Sequence, residues 1–252
     1  MSNHAYLTSL LQAQMLSYAE LQGLRNLRDT IEKQLGTFDG QPRFYYGGSY
    51  GKDTIIKASY DLDIVMYWPH DRSYTVEGIF NAVGAELRKH WNVVQQKNVA
   101  WSLPFEGGFH IDVVPGRAID TSFKYANLWR SESNQTLQTS IKIHIDHVRN
   151  SGRRELTRLL KLWKVRRQVP VKSFVLEVMG VSGASGSSLS DLEPQLNTAL
   201  AYIRDNIVTG RIIDPANSNN DLGASMTFLD KVATQQAADA AIRAGSWADV
   251  YR

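Results

Sequence analysis

Residues 47–65 read GGSYGKDTIIKASYDLDIV, a glycine-rich turn followed by a strand-like run that begins with two acids. Side chains two residues apart on a strand point to the same face, so Asp61 and Asp63 place two carboxylates side by side. Adjacent carboxylates repel each other unless a cation holds them together. The apolar residues 64–66 anchor the strand and leave both acids at its start. The stretch therefore predicts a cation site at the start of a strand.

A third acid, Asp112, lies in a second strand-like run with apolar flanks, residues 110–114 with the sequence HIDVV. The chain has no cysteine, so a metal site must be built from carboxylates or histidines. Three carboxylates that offer only oxygen suit Mg²⁺ or Mn²⁺. We expect Asp61, Asp63 and Asp112 to be metal ligands and catalytic residues. No role is assigned to three isolated histidines, which are more often ordinary hydrogen-bonding residues: His70, His110 and His144.

The glycine-rich turn is a candidate phosphate site. Gly48 and Ser49 offer backbone N–H groups and a hydroxyl, and we expect them at the start of a helix, where anions bind. Two divalent ions held by three carboxylates can lower the pKa of an attacking hydroxyl and stabilise a leaving pyrophosphate. On this interpretation Asp61 and Asp63 bind both ions, while Asp112 binds one ion and helps to deprotonate the hydroxyl.

The composition is that of a globular protein, with 252 residues, 43% hydrophobic and 21% charged. It excludes a disordered chain, a collagen and a coiled-coil filament. No apolar stretch approaches the roughly 18 residues of a membrane-spanning helix. The first residues, MSNH, lack the basic patch and apolar run of a secretory signal. We therefore expect a cytoplasmic protein without membrane insertion.

The positive charge is concentrated in one segment, which we call the basic segment, from Lys142 to Arg167. It holds nine Lys or Arg residues against two acids, a net charge of +7, whereas the whole chain carries +3. Such a segment favours binding of a polyphosphate or a nucleic-acid backbone. The alternative is a solvated helix face, which is common for runs of like charge.

Hydrophobic periodicity predicts a long amphipathic helix over residues 5–35, then short strands and one helix, then helices from about residue 140. The predicted strands lie within 44–46, 62–67, 93–103 and 109–114, and the predicted helices are 76–91, 140–168, 172–181, 188–208 and 225–244. This order predicts an α/β (α+β) protein with two lobes. Residues 1–139 form a mixed-sheet lobe with a spine helix, and residues 140–252 form a helical lobe, with a ligand cleft between the lobes.

The acidic pattern resembles the nucleotidyltransferase superfamily that includes DNA polymerase β: Gly-Ser, then Asp-x-Asp a dozen residues later, then a third Asp in a strand. Three further blocks resemble oligoadenylate synthetases, archaeal CCA-adding enzymes and the cGAS-like bacterial nucleotidyltransferases, called CD-NTases: LLKLW at 159–163, VKSFVLE at 171–177 and IDPANSNN at 213–220. The resemblance implies a bilobal fold, two Mg²⁺ or Mn²⁺ ions and an NTP or dNTP substrate. It also implies that Lys161 and Ser173 contact the donor triphosphate. Phe174 is placed to stack on a base or to pack in the core.

Tyr251 is the penultimate residue of the sequence, and we expect its phenol to offer an accessible hydroxyl on a flexible segment. The chain also resembles the nucleotidyltransferases of Hailong anti-phage defence, which implies that Tyr251 primes a short linear oligomer of dATP or ATP. The alternative for Tyr251 is packing on Trp247, four residues earlier.

Four functions stay open at this stage. The first is synthesis of short linear oligonucleotides as an anti-phage signal, read by a separate effector protein. The second is a cyclic oligonucleotide synthase of the CBASS type, and the third is an RNA-tailing enzyme whose basic segment holds tRNA. The fourth is a catalytically dead binding module, against which the three intact acids argue.

Overall fold

The computed structural model describes residues 2–106 and 109–252. Backbone contacts divide the chain into two compact units. The sheet unit comprises Leu16–Gly51 and Tyr60–Ile145, and the helical unit comprises the residues up to Met15, Lys52–Ser59 and Asp146–Arg252. The mixed α/β class of the fold agrees with the prediction.

The division differs from the predicted single boundary after residue 139, because two early segments belong to the helical unit. Leu7 and Ile56 are fully buried in the same hydrophobic core as Leu159 and Leu196. Burial of apolar surface therefore assigns the first helix and the segment Lys52–Ser59 to the helical unit.

Within the described residues, seven strands form the sheet of the sheet unit. They are β1 (Arg43–Tyr46), β2 (Leu62–Trp68), β3 (Gln95–Gln96), β4 (Trp101–Pro104), β5 (His110–Ala118), β6 (Ala126–Arg130) and β7 (Gln135–Thr139). The strand order is β1-β2-β5-β4-β3, with β6 paired to both β5 and β7. The pair β2–β5 is parallel, and the other pairs are antiparallel. The hairpin β6–β7 is absent from the sequence prediction.

Helices α2 (Tyr18–Leu35) and α4 (Val76–His90) pack on one face of this sheet. The alternation of β2 directs Leu62, Ile64 and Met66 toward those helices, and all three are fully buried. Asp63 therefore lies on the opposite face, together with Val65 and Tyr67.

The predicted single helix over residues 5–35 is wrong, because the structure has α1 (Asn3–Ala13) and then α2. Ser17 starts α2 with a capping box: its hydroxyl accepts from the Glu20 N–H at 3.2 Å, and its own N–H donates to the Glu20 carboxylate at 2.7 Å. A capping box satisfies two of the N–H groups that a helix start leaves unpaired. The Ser-x-x-Glu signal was present in the sequence and was overridden by the apolar periodicity.

The remaining helices are α3 (Gly48–Lys52), α5 (Ile141–Arg149), α6 (Arg154–Arg166), α7 (Ser173–Gly183), α8 (Leu192–Asn206), α9 (Phe228–Arg243) and α10 (Trp247–Val250). The prediction of one helix over 140–168 is wrong, since Gly152 adopts a φ of +70° between α5 and α6. The structure also has a hairpin of β8 (Ile213–Asp214) and β9 (Asn217–Asp221), which the sequence did not predict. In the part of the chain that the structure describes, no helix is long and apolar enough to cross a membrane.

Candidate active site

The three predicted acids lie together near the N-terminal ends of the neighbouring inner strands β2 and β5, a place that we call the acidic edge of the sheet unit. Asp63 on β2 and Asp112 on β5 are direct partners in the parallel register, and Asp61 comes just before β2. His110 joins them, since its Nε2 atom is 3.8 Å from a carboxylate oxygen of Asp61 and 3.8 Å from one of Asp112. Asp63 and Asp112 thus occupy neighbouring strands, as predicted, whereas Asp61 lies just outside β2. No role was assigned to His110 from the sequence, although it lies two residues before Asp112 and so on the same face of the strand.

The glycine-rich turn packs directly against these acids. Helix α3 begins at Gly48, as predicted, and the Gly47 N–H donates to the Asp63 carbonyl at 2.9 Å. The Ser49 hydroxyl donates to the Asp61 carboxylate at 3.2 Å. Gly48 has a φ of +52°, and a Cβ atom there would lie 1.6 Å from a carboxylate oxygen of Asp63. Both conformation and space therefore demand glycine at this position.

Lys97 is a site residue that the sequence reasoning missed. Its Nζ atom donates to both carboxylate oxygens of Asp112, at 2.8 and 2.7 Å. The lysine follows β3 and reaches Asp112 through the strand order β3-β4-β5. No local motif could reveal this contact, because the pairing of three strands brings the two residues together.

The donor set fits a hard divalent cation, since three carboxylates at one sheet edge offer only oxygen ligands. Among the described residues, no group of three acidic or histidine side chains is already arranged around a metal position. The Lys97 ammonium forms an ion pair with Asp112, so one of the three acids already has a cationic partner. Asp61, Asp63 and Asp112 would hold the metal.

In the helical unit, the residue that meets Ser173 is Lys164. The Lys164 ammonium donates to the Ser173 hydroxyl at 2.9 Å, at the first residue of α7. Lys161, the predicted triphosphate contact, is 6% exposed and donates to the Thr54 carbonyl at 3.1 Å. Lys161 and Lys164 are three residues apart and share one side of α6, so the sequence alone could not choose between them.

Phe174 is partly buried against the core of the helical unit. The Lys52 ammonium lies 4.4 Å from its ring centroid and forms a buried ion pair of 2.5 Å with Glu177. Core packing is therefore the role that the structure shows for Phe174. Base stacking by its ring stays a prediction.

Most of the basic segment binds groups of the protein itself. Arg154 and Arg158 pair with the Asp53 carboxylate, and Arg153 donates to the Gln195 side chain and to two backbone carbonyls. Seven of its nine cations make such contacts within the helical unit: Arg153, Arg154, Arg158, Lys161, Lys164, Arg166 and Arg167. The cations of this segment therefore mainly stabilise the helical unit. This role is neither the anion-binding site nor the solvated helix face that the sequence suggested.

The expectation of an accessible hydroxyl at Tyr251 is wrong in this structure. Tyr251 is 1% exposed, and its hydroxyl donates to the Leu159 carbonyl at 3.3 Å. Burial raises the pKa of the phenol, because the charged form would lose its solvation. The ring packs near Trp247, and Arg166 binds the Tyr251 carbonyl. The packing alternative is the one that the structure shows.

This chain is similar to proteins of a known family. The model of the Second Messenger Oligonucleotide or Dinucleotide Synthetase domain matches residues 1–150. A cyclic AMP-AMP-AMP synthase of Escherichia coli (strain MS 115-1) is 24% identical, over 75% of this chain and 66% of its own length. The chain thus spans just under two thirds of that relative.

Two solved structures are similar along nearly the whole chain. CdnC of E. coli MS115-1 with ATP has a TM-score of 0.77 at 20% identity, and covers 99% of this chain and 98% of its own. The cyclic AMP-GMP synthase DncV of Vibrio cholerae, with a linear intermediate, has a TM-score of 0.77 at 17% identity, over 98% and 93%. At these identities the structural matches show the fold. The family match over more than half of its length shows that the chain belongs to the Second Messenger Oligonucleotide or Dinucleotide Synthetase family, and the solved structures show that it has the polymerase β-like fold of the CD-NTases.

Proposed function

We propose that this protein joins nucleoside triphosphates, ATP among them, into a cyclic oligonucleotide. The observation that carries the proposal is the meeting of Asp61, Asp63 and Asp112 at one sheet edge, beside the turn of Gly48 and Ser49. Acids at this spacing serve nucleotidyl transfer, which needs metal ligands next to a phosphate site. A cyclic product with adenosine is favoured because two similar proteins are named as cyclic AMP-AMP-AMP and cyclic AMP-GMP synthases.

Each site residue has a role in this proposal. Two Mg²⁺ or Mn²⁺ ions would supply positive charge against the triphosphate and lower the pKa of the attacking hydroxyl. Asp112 accepts the proton of that hydroxyl, and its place on β5, opposite Asp63, fixes its orientation. The Ser49 hydroxyl and the N–H groups of the turn orient phosphate oxygens. The missing Cβ of Gly48 lets the turn lie against Asp63.

In the helical unit, we assign the polyphosphate contact to Lys164 and Ser173. Their direct hydrogen bond places an ammonium and a hydroxyl together at the start of α7. An ammonium is a compact point charge that suits a polyphosphate. Lys161, which lies on α6 together with Lys164, donates to the Thr54 carbonyl instead.

The main alternative is a linear oligomer of dATP or ATP started on Tyr251. Priming needs the Tyr251 hydroxyl to reach a nucleotide, but that hydroxyl is buried and bonded to the Leu159 carbonyl. Helix α10 would have to leave the helical unit first. The structural observation therefore favours free nucleotides as the acceptors.

The experiment that tests the proposal is incubation of the purified protein with Mg²⁺ or Mn²⁺ and with each NTP and dNTP, singly and in pairs. Mass spectrometry of both the small molecules and the protein then identifies the product. A free product that lacks terminal phosphates and resists phosphatase, beside unmodified protein, supports the cyclic synthase. A ladder of nucleotide masses on the protein, mapped to Tyr251, contradicts it and establishes the linear alternative. In either case we expect the product to act as an anti-phage signal on a separate effector protein.

A further inference from the structure

Lys97 makes an unusually complete contact with one of the three acids of the site. Both oxygens of Asp112 accept from its ammonium, so the pair is bidentate. The Asp112 side chain is only 15% exposed, whereas the Lys97 side chain is 41% exposed. The acid is therefore held in place by the strand, and the lysine is the partner that can move.

The sheet gives Lys97 a defined route to Asp112. Ser102 on β4 is the direct register partner of Asp112 and, on its other side, of Gln95 on β3. Ser102 is a small residue and is 2% exposed. A short side chain between the two strands leaves room for the long side chain of Lys97, which follows β3 by one residue. The contact thus depends on strand pairing and is more than a chance meeting of two surface charges.

The same oxygens of Asp112 are needed for metal binding. A divalent cation at this edge must coordinate at least one of them, and it cannot share that position with an ammonium at 2.7–2.8 Å. The Nε2 atom of His110 also lies 3.8 Å from a carboxylate oxygen of Asp112 and 3.8 Å from one of Asp61.

We propose that Lys97 is an internal counter-ion, which holds Asp112 in the metal-free protein and is displaced when a divalent cation binds. The lysine thereby raises the metal concentration at which the site fills. Before metal binds, it also offsets the repulsion between Asp112 and its register partner Asp63. This inference rests on the proposed function, because it takes the three acids as metal ligands.

The test measures metal binding directly, without nucleotide. Mn²⁺ is titrated into the full-length protein, and free Mn²⁺ is followed by electron paramagnetic resonance. Lys97→Met keeps the length of the side chain and removes its charge, and it should tighten Mn²⁺ binding about fivefold, the range expected for a partly exposed ion pair. Lys89→Met is the matched control, since Lys89 also pairs with an acid, Glu86, at 2.7 Å on α4, and it should leave Mn²⁺ affinity unchanged.

A second substitution shows whether the effect runs through Asp112. In an Asp112→Asn background, Lys97→Met should give no further gain in Mn²⁺ affinity. Equal or weaker Mn²⁺ binding by Lys97→Met, or the same gain with and without Asp112, would overturn the inference. If wild type and Asp61→Asn/Asp63→Asn bind Mn²⁺ alike, the metal site itself is absent, and the proposed function fails as well. If Mn²⁺ binding depends on the carboxylates but does not change in Lys97→Met, only the counter-ion role is contradicted.

Discussion

The acidic edge of the sheet unit and the basic segment, most of which belongs to the helical unit, are both clusters of like charge, but their charged groups have different kinds of partner. At the acidic edge, Asp112 is paired with Lys97, a partly exposed side chain that a ligand can replace. In the basic segment, the partners include backbone carbonyls and the buried side chain of Gln195. Loss of these bonds would leave buried polar groups unpaired and destabilise the unit.

The difference teaches how a charge cluster can be interpreted. A hydrogen bond from a cation to a buried backbone carbonyl is costly to lose, because the carbonyl would be left desolvated and unpaired. A side-chain partner with one end in solvent can exchange for a metal ion or a phosphate. A cluster therefore predicts a site only where the fold leaves its partners replaceable.

The largest expected effect is at the acidic edge. Asp61→Asn with Asp63→Asn should lower NTP consumption at least about a thousandfold, because metal ligation supplies several kcal/mol of charge stabilisation. The melting temperature should hold or rise, since two neighbouring charges are removed. Asp53→Asn is the control in the helical unit: it breaks the pairs with Arg154 and Arg158 and should lower the melting temperature, while folded protein stays active. NTP consumption by the double variant at the wild-type rate contradicts the metal site.

A second prediction concerns the turn that packs on the acids. Gly48→Ala places a Cβ atom 1.6 Å from an Asp63 oxygen and imposes a φ of +52° on alanine. We expect a loss of kcat of about a hundredfold from displacement of Asp63, together with a lower melting temperature from the strained backbone.

Gly23→Ala is the matched control for this change. Gly23 lies within α2 of the same unit and has nothing within 4 Å of the added Cβ, so alanine should stabilise the protein by about 1 kcal/mol. Steady-state kinetics and thermal melts of both variants are the measurements. A Gly48→Ala enzyme with wild-type kcat removes the turn from the site.

The third prediction separates two lysines of α6. Lys164→Ala should raise the KM for NTP about tenfold with little change in melting temperature, because one charge-assisted contact to phosphate is lost. Lys161→Ala should do the reverse and lower stability by about 1–3 kcal/mol, since it leaves the Thr54 carbonyl without its charged donor. Nucleotide titrations and chemical denaturation distinguish them. The opposite assignment would restore Lys161 as the phosphate contact.

Much of the site was visible in the sequence because its signals are short-range. The Asp-x-Asp spacing beside a strand was enough to predict that Asp61 and Asp63 lie close together. The register that sets Asp63 opposite Asp112, and the lysine that holds Asp112, depend on strand pairing over long separations, which no local pattern encodes.

The division of the chain was hidden for a similar reason. Ile56 looks like any apolar residue in a short segment, but its burial in the helical core assigns Lys52–Ser59 to the helical unit. The break before α2 had a local signal, the capping box of Ser17 and Glu20. Weighting caps above periodicity would have found it.

The smallest expected effect concerns Tyr251, whose burial raises its pKa above the value of about 10 in an unfolded chain. Below that value both states keep the proton, and the full stability is present. Above it the unfolded state loses the proton first, so stability falls by up to about 1.4 kcal/mol per pH unit. Tyr251→Phe removes this titrating phenol, so the stability of the variant should fall less steeply with rising pH than that of the wild type. At neutral pH the substitution should cost no more than about 1 kcal/mol of stability and leave the nucleotide product unchanged.

Tyr18→Phe, at an exposed residue of the sheet unit, is the control and should leave the slope of stability against pH as it is. Denaturant melts from pH 8 to pH 11 give the comparison. Wild-type slope together with loss of product in Tyr251→Phe would mean that the hydroxyl works outside the core, and would revive priming.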